Sequence, residues 1–435
     1  MQRIVVLGAT GFVGRRLVLA LQRRGAAVTA LARNVARAAG SLPSGVRVAD
    51  FTDGAALSAA VAGADAVVNL AGEPIAGRRW TERRKRALVA SRVDVTGRLV
   101  AAIGDRERPL PVLVSASATG WYGDRGDELL DDRSAPGAGF AAELCRAWEA
   151  AASAARATRV VRTRFGVILG REGGAFAALR PIYRAGLGGP IGDGAAWMPW
   201  VHIDDVVRAI LHAIDRADLD GPVAVAAPSP LRQRDFARAL GHALHRPAAL
   251  RTPRAALRAI LGDAAAVVTA SQRVEPRALL ASGFAFRYPA IDAALADLVD
   301  DGVTIERAGA LPGEALYLRA RGARYVLRTA VELPAPRDEV FAFFSSPENL
   351  AALTPPALGF DILTARPIAM ARGAIIDYRI RVAGAPLRWR TMIESWAPAR
   401  HFIDSQLRGP YRSWWHEHRF HDLGGTERME DGVYL

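Results

Sequence analysis

The sequence predicts an α/β protein with a doubly wound parallel sheet, followed by a smaller α+β domain built on an antiparallel sheet. Three observations carry this expectation. Short apolar runs alternate with helix-spaced segments through the first two thirds of the chain. A length of 435 residues exceeds one ordinary core and points to roughly two to three domains. Near the C-terminus the apolar period changes to two, as in Ile376, Tyr378, Ile380 and Val382 against Asp377, Arg379 and Arg381.

Arg3 to Leu7 reads as the first strand, and Phe12 to Arg24 as a helix with Val13, Leu17 and Leu21 on one face. Strands follow at Val28 to Ala32, Val46 to Ala49, Ala66 to Leu70 and Val112 to Ser115. A helix around Ala55 to Ala62 and a long helix from Glu82 to Ile103 lie between them. Ala141 to Ala155 has helical spacing, Arg159 to Ile168 reads as a strand, and Asp204 to Ala217 as a helix capped by Asp204. Residues 228–297 carry helices with little strand signal and read as a substrate-side lobe of the same domain. The pattern loosens at Gly302, Gly309, Pro312, Gly313 and Gly322, so 298–322 is expected to be a linker. In the remaining segment, 323–435, a strand at Tyr325 to Leu333 precedes a helical stretch, Arg337 to Leu353. Gly384-Ala385-Pro386 then leads into another strand, Leu387 to Trp396.

Composition excludes several function classes. Lys plus Arg number 57 and Asp plus Glu 44, a net charge of +13. Lys85 is the only lysine, however, and the arginines are scattered through apolar helices without interleaved aromatics, which argues against a nucleic-acid partner. No apolar stretch, Ala264 to Ala270 included, approaches the roughly 18 to 20 residues of a membrane span. The first residues run directly into a strand and a glycine turn, which predicts a cytoplasmic protein. Cys145 is the single cysteine, so no internal disulfide is expected.

The chemistry-bearing motif is Gly8-Ala9-Thr10-Gly11-Phe12-Val13-Gly14, between a strand and a helix. Glycines there permit a tight turn and let the backbone approach a pyrophosphate at the helix N-terminus. The residue ending the second strand selects the coenzyme, because a carboxylate accepts the ribose hydroxyls of NAD whereas an arginine accommodates the 2′-phosphate of NADP. That residue is Arg33; Arg37 adds a second charge, and no acidic residue precedes Asp50. The expected cofactor is therefore NADP(H). Asn69-Leu70-Ala71-Gly72 ends the fourth strand and offers backbone to the same ligand, and Asp50 is placed either to approach an adenine or to cap the following helix.

Together these motifs resemble the extended short-chain dehydrogenase/reductases, and more closely their atypical epimerase-family subgroup, similar to NAD-dependent epimerases and dehydratases. The resemblance covers residues 1 to about 297. Its carriers are Gly8 to Gly14, Asn69 to Gly72, Ser91-Arg92-Val93, the run Ser115 to Gly123, Gly188-Gly189-Pro190 and Trp200 to Asp205. It implies a Rossmann-like domain in which Leu70, Ala71 and Arg92 line the coenzyme and Ser117 occupies the position of the active-site hydroxyl. It also implies a Tyr with a Lys four residues later, and here the sequence departs: Lys85 is preceded by Thr81, and Gly139 to Arg146 contains no tyrosine. Tyr122 as an acid, or as a loop aromatic packed on the sheet edge, and Glu143 as an acid or base, or as a helix salt-bridge partner, are the substitutes the sequence offers. Cys145 reads as a small buried hydrophobe, and His202 as structural. Gly186 to Gly194 with Trp197 and Trp200 reads as a substrate-side loop.

Residues 323–435 resemble the helix-grip superfamily of START-like and Bet v 1-like domains. The carriers are Val331 to Pro336, Val340 to Phe344, Trp414 to His418 and Gly425-Thr426. The resemblance implies an apolar-ligand cavity. The sequence ends in strand pattern where that family has a covering helix, so the cavity is expected to be open or completed by another surface, such as a partner subunit in a homodimer. His416, His418 and His421 alternate along a strand, but no nearby cysteine or placed carboxylate set completes a shell, so no metal is expected. The functional expectation is an NADP(H)-dependent oxidoreductase or epimerase-like enzyme acting on a small polar or sugar-nucleotide-like molecule. The alternative is a non-catalytic NADP(H) sensor coupled to an apolar-ligand module.

Overall fold

The computed structural model describes residues 1–75, 77–300, 303–308, 322–333, 335–354, 359–382, 385–422 and 427–435. They form two compact units, Met1–Val299 and Asp300–Leu435. Gly302, Gly309, Pro312, Gly313, Pro334, Gly384, Gly425 and Thr426 lie outside the described residues.

The first unit is built on seven parallel strands: β1 (Arg3–Leu7), β2 (Ala27–Ala32), β3 (Arg47–Asp50), β4 (Ala66–Asn69), β5 (Leu110–Ala118), β6 (Ala157–Phe165) and β7 (Gly221–Val225). Their order is β7-β6-β5-β4-β1-β2-β3. Successive side chains point to opposite faces, so Ile4 and Val6 of β1 join one core and Val5 and Leu7 the other. The first face is covered by α1 (Phe12–Arg23) through Leu17, Val18 and Leu21. The second is covered by α3 (Gly54–Ala62) through Leu57 and Val61, with α2 (Val35–Ala39) preceding it in the chain. Burial on both faces is why these strands read as continuous apolar runs. Strand order reverses between β1 and β4, and their carboxyl ends open a crevice there.

Several elements differ from the sequence expectation. The helix expected from Glu82 to Ile103 is α4 (Glu82–Val89), a five-residue π segment (Ala90–Asp94), and α5 (Val95–Gly104), whose Leu99 and Ile103 join the second core. No proline or glycine marks the interruption, and it carries Arg92. The strand expected from Arg159 to Ile168 breaks at Gly166, where the Pro199 backbone approaches so closely that a Cβ would sit 2.6 Å from its carbonyl oxygen, and the Val167 N–H donates to that oxygen instead. Val167–Leu169 instead pairs with Trp200–His202 in a separate two-stranded sheet. The helix α6 (Phe140–Ser153) packs behind β5, and α7 (Ile203–Asp215) lies with α1 on the first face. His202, rather than Asp204, caps α7: its Nδ1 accepts from the Asp204 N–H at 3.2 Å. Residues 228–299 supply α8 (Gln233–Ala243) and α9 (Ile291–Val299), which pack through Phe236, Leu240, Leu295 and Leu298.

The second unit is an eight-stranded antiparallel sheet. Its strands are β8 (Val303–Arg307), β9 (Tyr325–Leu333), β10 (Phe360–Ile362), β11 (Ile375–Val382), β12 (Ala385–Ala397), β13 (His401–Arg408), β14 (Trp415–Asp422) and β15 (Glu427–Tyr434). The order is β8-β9-β15-β14-β13-β12-β11-β10. β8 falls inside the expected linker; its five residues are all exposed, and the alternation of Val303 and Ile305 with Thr304 and Glu306 is too short to stand out among the surrounding glycines. Register shifts between Arg390 and Thr391 and between Ile393 and Ser395 mark bulges that bend β12. One face packs against α10 (Arg337–Phe344), with Phe341 against Trp396, Phe402 and Phe420.

Candidate functional site

The crevice at the ends of β1 and β4 is shaped by glycine. Gly8 has φ +86°, and a Cβ there would meet the Leu70 carbonyl carbon and oxygen at 2.8 Å; at Gly14 a Cβ would meet the Gly8 oxygen at 2.1 Å. These two positions admit no side chain, and the turn closes through the Gly11 N–H to the Gly8 oxygen at 3.0 Å. The N-terminus of α1 has no side-chain cap and no acidic residue in its first turn, so its positive dipole end is not neutralised from within. Thr10 and Gly11 are exposed and Val13 is half-buried, while the Phe12 ring fills space left by Gly170 and Gly173. An anion is received by such a helix end through backbone N–H groups.

Arg33, directly after β2, is exposed, as is Arg37 on α2, which is capped by Asn34. Asp50 ends β3 and turns inward on itself: its Oδ1 accepts from the Thr52 N–H and hydroxyl, both at 2.7 Å, and the hydroxyl bond chiefly holds the carboxyl below its ordinary pKa. The helix cap that Asp50 was expected to supply comes from Asp53. On the β4 side, Leu70 and Ala71 are half-buried and Gly72 is exposed. Arg92 braces this loop from beneath. Its guanidinium donates to the Glu73 carbonyl at 2.8 Å, lies over the Trp148 ring at 5.2 Å, and would meet a Cβ at Gly72 at 3.1 Å.

The candidate catalytic residues are placed less openly. Ser117 is buried near the end of β5 and donates to Glu149 Oε1 at 2.7 Å. Glu149 in turn accepts from Arg164 Nε at 2.8 Å and Nη2 at 2.9 Å, both side chains 2% exposed. Arg164 lies 3.9 Å from the Trp121 ring and donates to the Tyr122 hydroxyl at 3.4 Å. Tyr122 is fully buried among Leu130, Ala224, Ala226 and Val274, and desolvation pushes its phenol up to about 12. Ser117 and Tyr122 are thus joined through one buried ion pair, whereas Glu143 is exposed on α6 and its side chain makes no hydrogen bond or ion pair among the described residues. The salt-bridge reading of Glu143 is therefore not met.

Ala141 and Cys145, four apart on α6, both face the Gly120 turn: a Cβ on Gly120 would meet them at 3.4 and 3.5 Å. This turn of α6, next to the end of β5, carries neither a tyrosine nor a lysine. Cys145 donates weakly to the Ala118 carbonyl at 3.7 Å, and burial raises its thiol to about 11. Glu149 and Arg164 escaped the sequence reading, although Glu149 lies on the apolar face of α6 with Cys145, Trp148 and Ala152. A carboxylate at such a position requires a buried partner, and that was the available signal.

Residues 4–226 match the NAD dependent epimerase/dehydratase family, and residues 252–298 match a domain of unknown function, DUF1731. The chain belongs to the epimerase family. It is 38% identical over 300 residues to the epimerase family protein SDR39U1 homolog, chloroplastic, of Arabidopsis thaliana, covering 67% of this chain and 85% of that one. Among solved structures it is similar to human epimerase family protein SDR39U1 (isoform 2) with NADPH, at 34% identity and a TM-score of 0.63, covering 69% of this chain and all of that one. A nucleoside-diphosphate sugar epimerase from Corynebacterium glutamicum aligns at 32% identity and a TM-score of 0.56, covering 68% of this chain and 58% of that one. In this epimerase-family chain no helix among the described residues is long and apolar enough to cross a membrane.

Proposed function

We propose that this chain binds NADP(H) in its first unit and uses it in oxidoreductase or epimerase-like chemistry on a small, negatively charged substrate. The observation that carries the reading is the glycine crevice at Gly8 and Gly14, which no Cβ can occupy, beside an uncapped α1. In this reading Gly8, Thr10, Gly11, Val13 and Gly14 receive the pyrophosphate, with Phe12 packed beneath; Arg33 and Arg37 receive the 2′-phosphate. Asp50, Leu70, Ala71 and Gly72 line the adenosine and ribose, with Arg92 holding their loop. The NADPH in the human relative's structure supports the choice of coenzyme. Bound there, the nicotinamide would supply or accept a hydride. A cavity of about 570 Å³ with Arg234, Arg238, Arg246 and Arg251 in its wall, beside His242 and Asp193, supports an anionic substrate.

A second reading, a nucleotide-binding sensor without hydride chemistry, is favoured by the missing Tyr/Lys pair, since Gly139 to Arg146 holds no tyrosine and Lys85 is the only lysine. Titration calorimetry with NADPH and NADH, on the full chain and on Arg33→Ala, tests the shared part. NADPH binding that weakens at least tenfold in the variant supports it, and equal or absent binding of both coenzymes overturns it. Deuteride transfer from labelled NADPH to a metabolite extract then separates enzyme from sensor. For the second unit we propose a helix-grip module that binds a small apolar ligand.

A further inference from the structure

Four titratable side chains outside the nucleotide crevice converge on one face of the antiparallel sheet. Asp404 on β13 is in register with His416 on β14, and His418, two residues on, is in register with Asp431 on β15. Directly paired residues of an antiparallel ladder share a face, and residues two apart do as well. His421, at an odd offset from both, falls on the other face beside Glu430 and is half exposed. The sequence reading that grouped it with His416 and His418, and found no carboxylate, is corrected here: the carboxylates come from the two flanking strands.

The distances are those of a coordination site. Asp404 Oδ2 lies 3.4 Å from His416 Nδ1 and 3.7 Å from His418 Nε2. One ligand atom from each of the three can be chosen so that all lie within 4.8 Å of one another. Metal–ligand bonds of about 2.0–2.2 Å in tetrahedral geometry put neighbouring ligand atoms roughly 3.3–3.6 Å apart. On the far side of both rings, Asp431 Oδ1 is 3.7 Å from His416 Nε2 and 2.6 Å from His418 Nδ1. That last pair is buried and close, yet neither atom has a hydrogen-bond partner of acceptable geometry. The rings are held in place: Phe402 stacks on His418 at 4.1 Å, and the edge of Trp414 meets His416 at 5.8 Å.

We propose that Asp404, His416 and His418 hold a divalent transition-metal ion of the zinc class, with the Asp431 carboxylate beside the outer nitrogens of both imidazoles. Two imidazoles and one carboxylate suit zinc, iron, cobalt or nickel rather than magnesium or calcium, whose sites are built from oxygen. A carboxylate on the outer nitrogen orients a ligating histidine and strengthens it as a donor, which is the part Asp431 plays here. Three protein ligands leave at least one coordination position for water or a small ligand. The competing account is a metal-free charge network. In it His416 is disfavoured by burial but raised to about 9 overall by Asp404 and Asp431, and the two carboxylates simply neutralise the imidazoles.

Dialysis of the chelator-stripped full chain against zinc, followed by elemental analysis, and titration with cobalt(II) read by its ligand-field absorption separate the two accounts. The expected result is one equivalent of metal and a tetrahedral cobalt spectrum. Binding should weaken at least tenfold in Asp404→Asn and in His418→Ala, by ten- to a hundredfold in Asp431→Asn, and not in His421→Ala. Circular dichroism melting, read on the transition that NADPH does not shift, reports that the second unit of each variant is folded. Asp404→Asn keeps the side-chain shape, so it decides the matter if His418→Ala does not fold. Metal well below one equivalent in the wild type, or undiminished in Asp404→Asn, overturns the site in favour of the charge network.

Discussion

Replacing Glu149 by alanine leaves the Arg164 guanidinium buried without its counter-charge and takes the acceptor from Ser117. Three hydrogen bonds converge on that carboxylate, at 2.7, 2.8 and 2.9 Å, and both ionic partners are 2% exposed. Bonds to a charged group contribute about 1.5–3 kcal/mol each before desolvation is counted. Removing one member of a buried pair costs about 3–5 kcal/mol overall, because the surviving charge cannot be rehydrated. At about 2–4 °C per kcal/mol for a large domain, Glu149→Ala should lower the melting temperature of the first unit by roughly 10 °C. The double variant Glu149→Leu/Arg164→Met removes both charges and should recover most of the loss, to within about 2 kcal/mol of the wild type. Urea denaturation followed by circular dichroism measures both, with the relevant transition identified as the one that NADPH shifts upward. A loss under about 1 kcal/mol in the single variant, or a double variant as unstable as the single, would refute the claim that this pair is desolvated and mutually dependent.

Gly14→Ala forces a Cβ to within 2.1 Å of the Gly8 oxygen unless the turn opens, so NADPH affinity should fall at least a hundredfold in calorimetry, with a stability loss of about 2 kcal/mol. Arg33→Ala should weaken NADPH about tenfold while leaving NADH affinity unchanged, since only the former carries a 2′-phosphate for the guanidinium to pair with. The folded chain holds the Cys145 proton to about 11 against 9.0 for an ordinary thiol, and the Tyr122 proton to about 12 against 10.0 for an ordinary phenol. Between those values the unfolded chain has released protons that the folded chain retains, so the contribution of these two groups to stability is fully present below about pH 9 and is lost as pH rises from there to about 12. Melting curves at about pH 8 and pH 10 should differ in that direction, and Cys145→Ala should flatten the first part of the decline.

The glycine turn was legible because its requirement is local: two glycines spaced so that strand, turn and helix follow within a dozen residues can be read without knowing the fold. Arg33 was legible for the same reason, as the residue that ends a strand. Glu149 and Arg164 were harder. They lie 15 residues apart, on a helix and a strand, and only the register of β5 against β6, which sets Ser117 opposite Arg164, brings them to one point. Glu143, by contrast, belongs to the correct helix but to its solvent face, and a step of one residue, about 100° of rotation, separates it from the buried Ala142 and Leu144.

Taken alone, the sequence determined the parallel and antiparallel character of the two sheets, because side-chain period follows from backbone geometry, and it located the glycine crevice, because Cβ exclusion is a property of single positions. The tertiary structure decided which polar groups meet. It joined Ser117 and Tyr122 through the Glu149–Arg164 pair, laid Arg92 under Gly72, and set Asp404 and Asp431 on either side of His416 and His418. Each of these contacts depends on strand order and register between distant segments, which hydrophobic patterning along a single strand does not encode.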